Sequence, residues 1–139
     1  MFLRFLQKQY PLKQDLKIIF LSERTGKMTT GSRTSGSLLK ILVKDRINRD
    51  ILKTLSHEWI HEYQRTVLKR KKGKDIGGKN EDEANAKAGA DIKKFEKDNK
   101  SIEKKLYSPF KEKIEEILTN SNNNFIIIKE KAYDRIIRQ

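Results

Sequence analysis

The chain has no cysteine, and that absence closes several routes at once. A disulfide framework, a cysteine-based zinc finger, a thiol nucleophile and an iron–sulfur cluster all need the missing side chain. Histidine is almost as scarce: there are 2, so no site built on three histidines can form. Proline (2) and tryptophan (1) are rare. No apolar run approaches the roughly 20 residues of a membrane helix. The opening Met1-Phe2-Leu3-Arg4-Phe5-Leu6-Gln7-Lys8 is broken by charge and makes a poor signal-peptide core. We expect a soluble, cytoplasmic protein with no membrane partner. At 139 residues, one domain spanning 1–139 is the natural expectation.

Charge of one sign is abundant. The chain carries 32 Lys+Arg against 19 Asp+Glu, a formal net charge of +13. Residues 1–80 hold 19 basic and 7 acidic side chains, leaving 13 and 12 for residues 81–139. The excess is therefore an N-terminal property. It is densest around Lys69, Arg70, Lys71, Lys72 and Lys74. Such a cluster can be a footprint for nucleic acid or an acidic partner. It can equally be a solvated helix end, where cations are favoured. The aromatics are not interleaved with it as a base-stacking surface requires.

Apolar periodicity predicts an α+β fold. Residues 1–10 suit a short helix or strand. Leu16–Leu21 and Leu38–Val43 read as strands, with a Gly/Ser/Thr-rich stretch between them that suits turns around a further short strand. A small antiparallel or mixed sheet over 1–44 follows. The period then changes. Ile47, Ile51, Leu55, Trp59 and Tyr63 recur every four residues, widened by Leu52 and Ile60. That stripe predicts an amphipathic helix over 45–72, with Asp45 as N-cap and a stop at Gly73. A second long helix is expected over 80–107, with Ala84, Ala88, Ile92 and Phe95 on one face and small residues that permit close packing. The remainder, 109–139, reads as a helix over 110–118, a polar turn over 120–124, a short apolar strand or buried segment from Phe125, and a terminal helix.

Both histidines lie inside the first long helix, four residues apart, in His57-Glu58-Trp59-Ile60-His61. Positions i and i+4 share a helix face, so both imidazoles can bind one metal ion. Glu58 lies on the adjoining flank, where it can take a proton from a water at that metal. Two histidines placed at random fall four apart roughly once in 70 times, and the intervening Glu makes a chance match rarer still. Trp59 and Ile60 are core residues behind the motif. A catalytic zinc site needs a third protein ligand. With no cysteine and no third histidine, a ligand from this chain must be Asp or Glu. Acidic candidates cluster in Glu81-Asp82-Glu83-Ala84-Asn85 at the start of the second helix, although acids there also suit a helix N-terminus for electrostatic reasons alone.

His57-Glu58-x-x-His61 followed by Glu81-x-x-Ala84-Asn85 resembles the gluzincin metallopeptidases, most of all the minigluzincins and the antirepressor-type peptidases of phage and mobile elements. The likeness covers residues 45–95. It implies Zn2+ held by His57, His61 and Glu81, with Glu83 as the alternative ligand. It implies that Asn85 hydrogen-bonds a ligating histidine. It further implies Glu58 as general base in peptide hydrolysis, and an edge strand, here Leu38–Val43, that takes extended peptide substrate. Tyr107 and Tyr133 are candidates for the oxyanion donor. Gln64, one turn beyond His61, is a candidate to line the cleft. A phage-type origin suits the small, Lys/Asn/Ile-rich chain. The competing expectation is a peptidase-derived binding or virion module that uses the basic first segment. A segment after residue 124 that folds across the cleft would make the enzyme latent.

Overall fold

A computed structural model describes residues 1–71, 78–110, 114–118 and 125–129. In β1 (Leu16–Leu21), Leu16, Ile18 and Phe20 are fully buried, while Lys17 faces out. The alternation is that of a strand with one face on a core. β1 pairs in parallel with β3 (Leu38–Leu42), whose Leu39 and Ile41 are buried. Between them in the chain lies β2 (Gly31–Thr34), which turns back through Gly36 and Ser37, both at positive φ, to pair antiparallel with β3. β4 (Phe125–Lys129) adds in parallel on the other side of β1. The sheet is mixed, in the order β2-β3-β1-β4.

That order bears on two expectations. β3 is interior, flanked by β2 and β1, so the strand at Leu38 is not an edge of the sheet; β2 and β4 are the outer strands. Phe125–Lys129, the start of the segment after residue 124, form a sheet strand on the side of β1 away from β2, and the rest of the segment expected to cross the cleft lies outside the described residues. The expected polar turn over 120–124, the helix beyond Lys129 and Tyr133 lie outside the described residues.

α2 (Asn48–Thr66) carries the expected stripe, with Ile51, Leu52, Leu55, Trp59 and Ile60 fully buried. It also buries Asn48, Thr54, Ser56, Glu58, Glu62 and Gln64, because the sheet covers one side and α3 (Lys79–Asp98) another. Its ends differ from the sequence reading. Asp45 sits at positive φ and does not cap; Ile47 occupies the N-cap position without a side-chain cap. The first turn is held from outside the helix. The Asn48 N–H donates to the Ser108 carbonyl (2.9 Å), and the Asn48 side chain donates to the Lys105 carbonyl (2.8 Å). The helix closes at Thr66, well before Gly73. Lys69 takes a left-handed conformation there and the Arg70 N–H donates to the Gln64 carbonyl (2.8 Å). The sequence over 80–107 is not one helix. α3 ends at Asp98, a 3-10 turn follows over Lys100–Ile102, and α4 is Glu103–Leu106.

α3 presents Ala84, Ala88, Ile92 and Phe95 to the core, whereas Ala86 and Ala90 are exposed. Two small residues one turn apart bring its backbone close to α2. α1 (Phe2–Gln9) closes the far end, with Phe2 edge-on to Phe95 (ring centroids 4.8 Å apart). α5 (Ile114–Leu118) adds Ile114, Ile117 and Leu118 to the same core. A polar tie runs through it. Tyr10 donates to Asp91 (2.6 Å), Ser56 donates to the same oxygen (3.3 Å), and the Trp59 indole donates to the Tyr10 carbonyl (3.0 Å). The α+β class is as the periodicity predicts. No helix among the described residues is long and apolar enough to cross a membrane.

Candidate metal centre

His57 and His61 project from the same face of α2 toward the N-terminal turn of α3. Their Nε2 atoms are 3.0 Å apart. Glu81 reaches across from α3 with both oxygens: Oε1 lies 2.9 Å from His57 Nε2 and Oε2 lies 2.8 Å from His61 Nε2. One ligand atom from each of the three residues fits within a 4.8 Å group. Two nitrogens bound to one tetrahedral zinc, each about 2.0–2.1 Å away, stand roughly 3.3 Å apart. Admitting an ion therefore needs only a few tenths of an ångström of expansion. Two imidazoles and a carboxylate are a donor set suited to zinc. The residues present fit such a group.

The competing acid is placed elsewhere. Glu83 accepts from Gln64 Nε2 (3.1 Å) and Arg70 (2.9 Å), with Lys87 Nζ at 3.7 Å. Two residues along a helix is a rotation of about 200°. Glu81 therefore stands one turn before Ala84 and reaches the two histidines, while Glu83 is turned toward Gln64 and Arg70. Asn85, one turn after Glu81, lies near enough to the His57 ring to favour its protonated form. Burial pushes the His57 ring below the usual histidine range; Glu81 opposes that shift and His61 adds to it.

Glu58 is 7% exposed and packed under β2. Burial raises its carboxyl to about 7, opposed by His61 and reinforced by Glu81. It is poised to hold a proton at one moment and release it at the next. The strand above it comes closest at a glycine, where a side chain would crowd α2. A Cβ on Gly31 would lie 2.6 Å from Thr54 Cγ2, 3.1 Å from Glu58 Cγ and 3.3 Å from Glu58 Oε2. The β2 hairpin is pinned to α2 a turn further on, where buried Glu62 accepts from Arg33 (2.7 Å) and Ser37 (2.6 Å). Sequence reading passed over this. A lone glycine inside a strand is, however, a recognised mark of close backbone approach.

Three further expected participants fare differently. Tyr107 is 49% exposed and donates to Glu96 (2.5 Å), which also takes Arg49 (2.9 Å). Glu96 lies 15 residues past Glu81 on α3, about 22 Å along a helix. Tyr133 lies outside the described residues. Gln64 does not line a cleft; it is 1% exposed, behind His61. Within the basic cluster, Arg70 is engaged by Glu83, while Lys72 and Lys74 lie outside the described residues. No protein-family model, curated protein or solved structure matches the chain.

Proposed function

We propose that this chain is a zinc-dependent metalloendopeptidase of the gluzincin type, acting in the cytoplasm. The observation that carries the reading is the convergence of His57 Nε2, His61 Nε2 and the Glu81 carboxylate beside a buried Glu58 held near pH 7. His57, His61 and Glu81 would hold the ion, which supplies Lewis acidity to a water and to the scissile carbonyl. Glu58 accepts the proton of the attacking water and returns it to the leaving amine. Burial sets its proton affinity near the working pH, so neither transfer is steeply uphill. Asn85 steadies His57. The side of β2 away from β3, unpaired among the described residues, offers backbone donors and acceptors to an extended peptide, laid across Glu58 where Gly31 lets the strand come close. A carboxylate so placed is of no use to a module that only binds, which favours the peptidase over the binding alternative.

The test is digestion of a mixed peptide library by zinc-loaded protein, read by mass spectrometry, for wild type and Glu58→Gln. Wild type should cleave. Glu58→Gln should keep its zinc and lose about a hundredfold or more in rate. Equal cleavage by both, or none by zinc-loaded wild type, would refute the assignment. In the second case, salt-dependent retention on nucleic acid would favour the binding module.

A further inference from the structure

Gln64 is buried and spends all its polar atoms on a short chain that ends at a histidine of the metal cluster. Its Nε2 donates to the Asn80 carbonyl (3.0 Å) and to Glu83 Oε1 (3.1 Å). Its Oε1 faces His61 Nδ1 at 2.9 Å. A backbone carbonyl can only accept. Glu83 Oε1 also takes the Arg70 guanidinium (2.9 Å) and accepts as well. The amide therefore cannot turn over without setting its oxygen against two acceptors. With that oxygen aimed at Nδ1, the neutral His61 ring carries its proton there. The Nε2 lone pair is left bare, pointing at Glu81 Oε2 (2.8 Å) and His57 Nε2 (3.0 Å).

We propose that Gln64, clamped by Glu83 and the Asn80 carbonyl, is the positioning residue that fixes His61 as its Nδ1–H tautomer and so presents Nε2 as a ready-made metal ligand. Glu83, the rival third ligand by sequence, is thereby part of the same support, and Arg70 anchors its far end (2.9 Å). With that tautomer the His61 Nε2 lone pair faces the Glu81 carboxylate at 2.8 Å, an opposition of two acceptors that a cation relieves. Partners that orient a ligating histidine typically contribute about ten- to a hundredfold in metal affinity. The inference rests on the metal-centre reading for its consequence, but not for the tautomer.

Two readouts separate these. Long-range 1H–15N NMR of metal-free protein at pH 8 reports which nitrogen of His61 bears hydrogen. Zinc competition against a chelator reports affinity. In wild type His61 should be protonated on Nδ1. Gln64→Met should shift it toward Nε2–H and weaken zinc at least about tenfold, with the stoichiometry unchanged. Glu83→Ala, at a partly exposed position, should weaken zinc in the same direction but less. An Nε2–H tautomer in wild type overturns the proposal, as does a Gln64→Met protein with unchanged tautomer. If Gln64→Met does not fold, an Nδ1–H tautomer in wild type together with weakened zinc in Glu83→Ala sustains the proposal, and the absence of either refutes it. Wild type that binds zinc no better than Glu81→Ala refutes the metal centre, leaving the tautomer result to be judged on the metal-free spectra.

Discussion

Replacing Glu58 by Gln in metal-free protein should change how stability depends on pH. Folding raises the Glu58 carboxyl from an ordinary 4.5 to about 7, chiefly through burial. The folded state therefore holds a proton that the unfolded state has released. Stability from this group is complete below pH 4.5, declines as pH rises through 7, and is flat beyond. The interval of about 2.5 units, at 1.36 kcal/mol each, is worth about 3 kcal/mol. His57 acts in the opposite sense. Its folded value is depressed, so its contribution is present above the unfolded value near 6.5 and is lost as pH falls. The two partly cancel in wild type, which is why the difference between the proteins is the informative quantity. Urea unfolding with chelator present, at steps from pH 4.5 to 8, gives that difference. Glu58→Gln should gain about 3 kcal/mol relative to wild type across the range. A difference constant to within about 1 kcal/mol would mean that Glu58 is solvated or paired in the folded state, and would remove the basis for its role as a base.

Other outcomes follow from the same geometry. Glu81→Ala should lose zinc measured by plasma mass spectrometry, while Glu83→Ala should retain about one ion per chain. Gly31→Ala should cost about 1–3 kcal/mol, because its Cβ would meet Thr54 Cγ2 at 2.6 Å. Adding Thr54→Ser should recover part of that loss in a double-mutant cycle, and purely additive effects would place the strain elsewhere. Tyr10→Phe deprives buried Asp91 of a 2.6 Å donor and should lower stability by about 1–3 kcal/mol, read as a depressed melting temperature. Trp59→Ala should cost about 3–5 kcal/mol by denaturant unfolding.

The local rules of the chain carried much of this. A four-residue recurrence from Ile47 to Tyr63 is enough to place a helix, because one face of a 3.6-residue period must be buried somewhere. The same period puts His57 and His61 side by side whatever surrounds them. The lack of cysteine and of a third histidine restricted the remaining ligand to a carboxylate before any fold was known. The α+β class followed from the change of period near residue 45. Even the placement of Glu81 rather than Glu83 beside the histidines had a trace in the sequence, since Glu81 stands three residues, about one turn, before Ala84.

The tertiary structure decided what depends on distant partners. β2 rather than β3 became an outer strand because β3 was claimed on both sides, by β1 and by β2, and strand order is not a property of any one segment. The start of α2 was set by the Lys105 and Ser108 carbonyls, 57 residues away in one case, rather than by Asp45. α3 stopped at Asp98 although its composition could have continued. Gln64 looks like any polar residue on a helix until α3 docks and brings the Asn80 carbonyl and Glu83 to its amide. Periodicity reports which face a segment must hide; only packing reports what that face then touches, and the histidine lone pair at the centre of this cluster is aimed by such a contact.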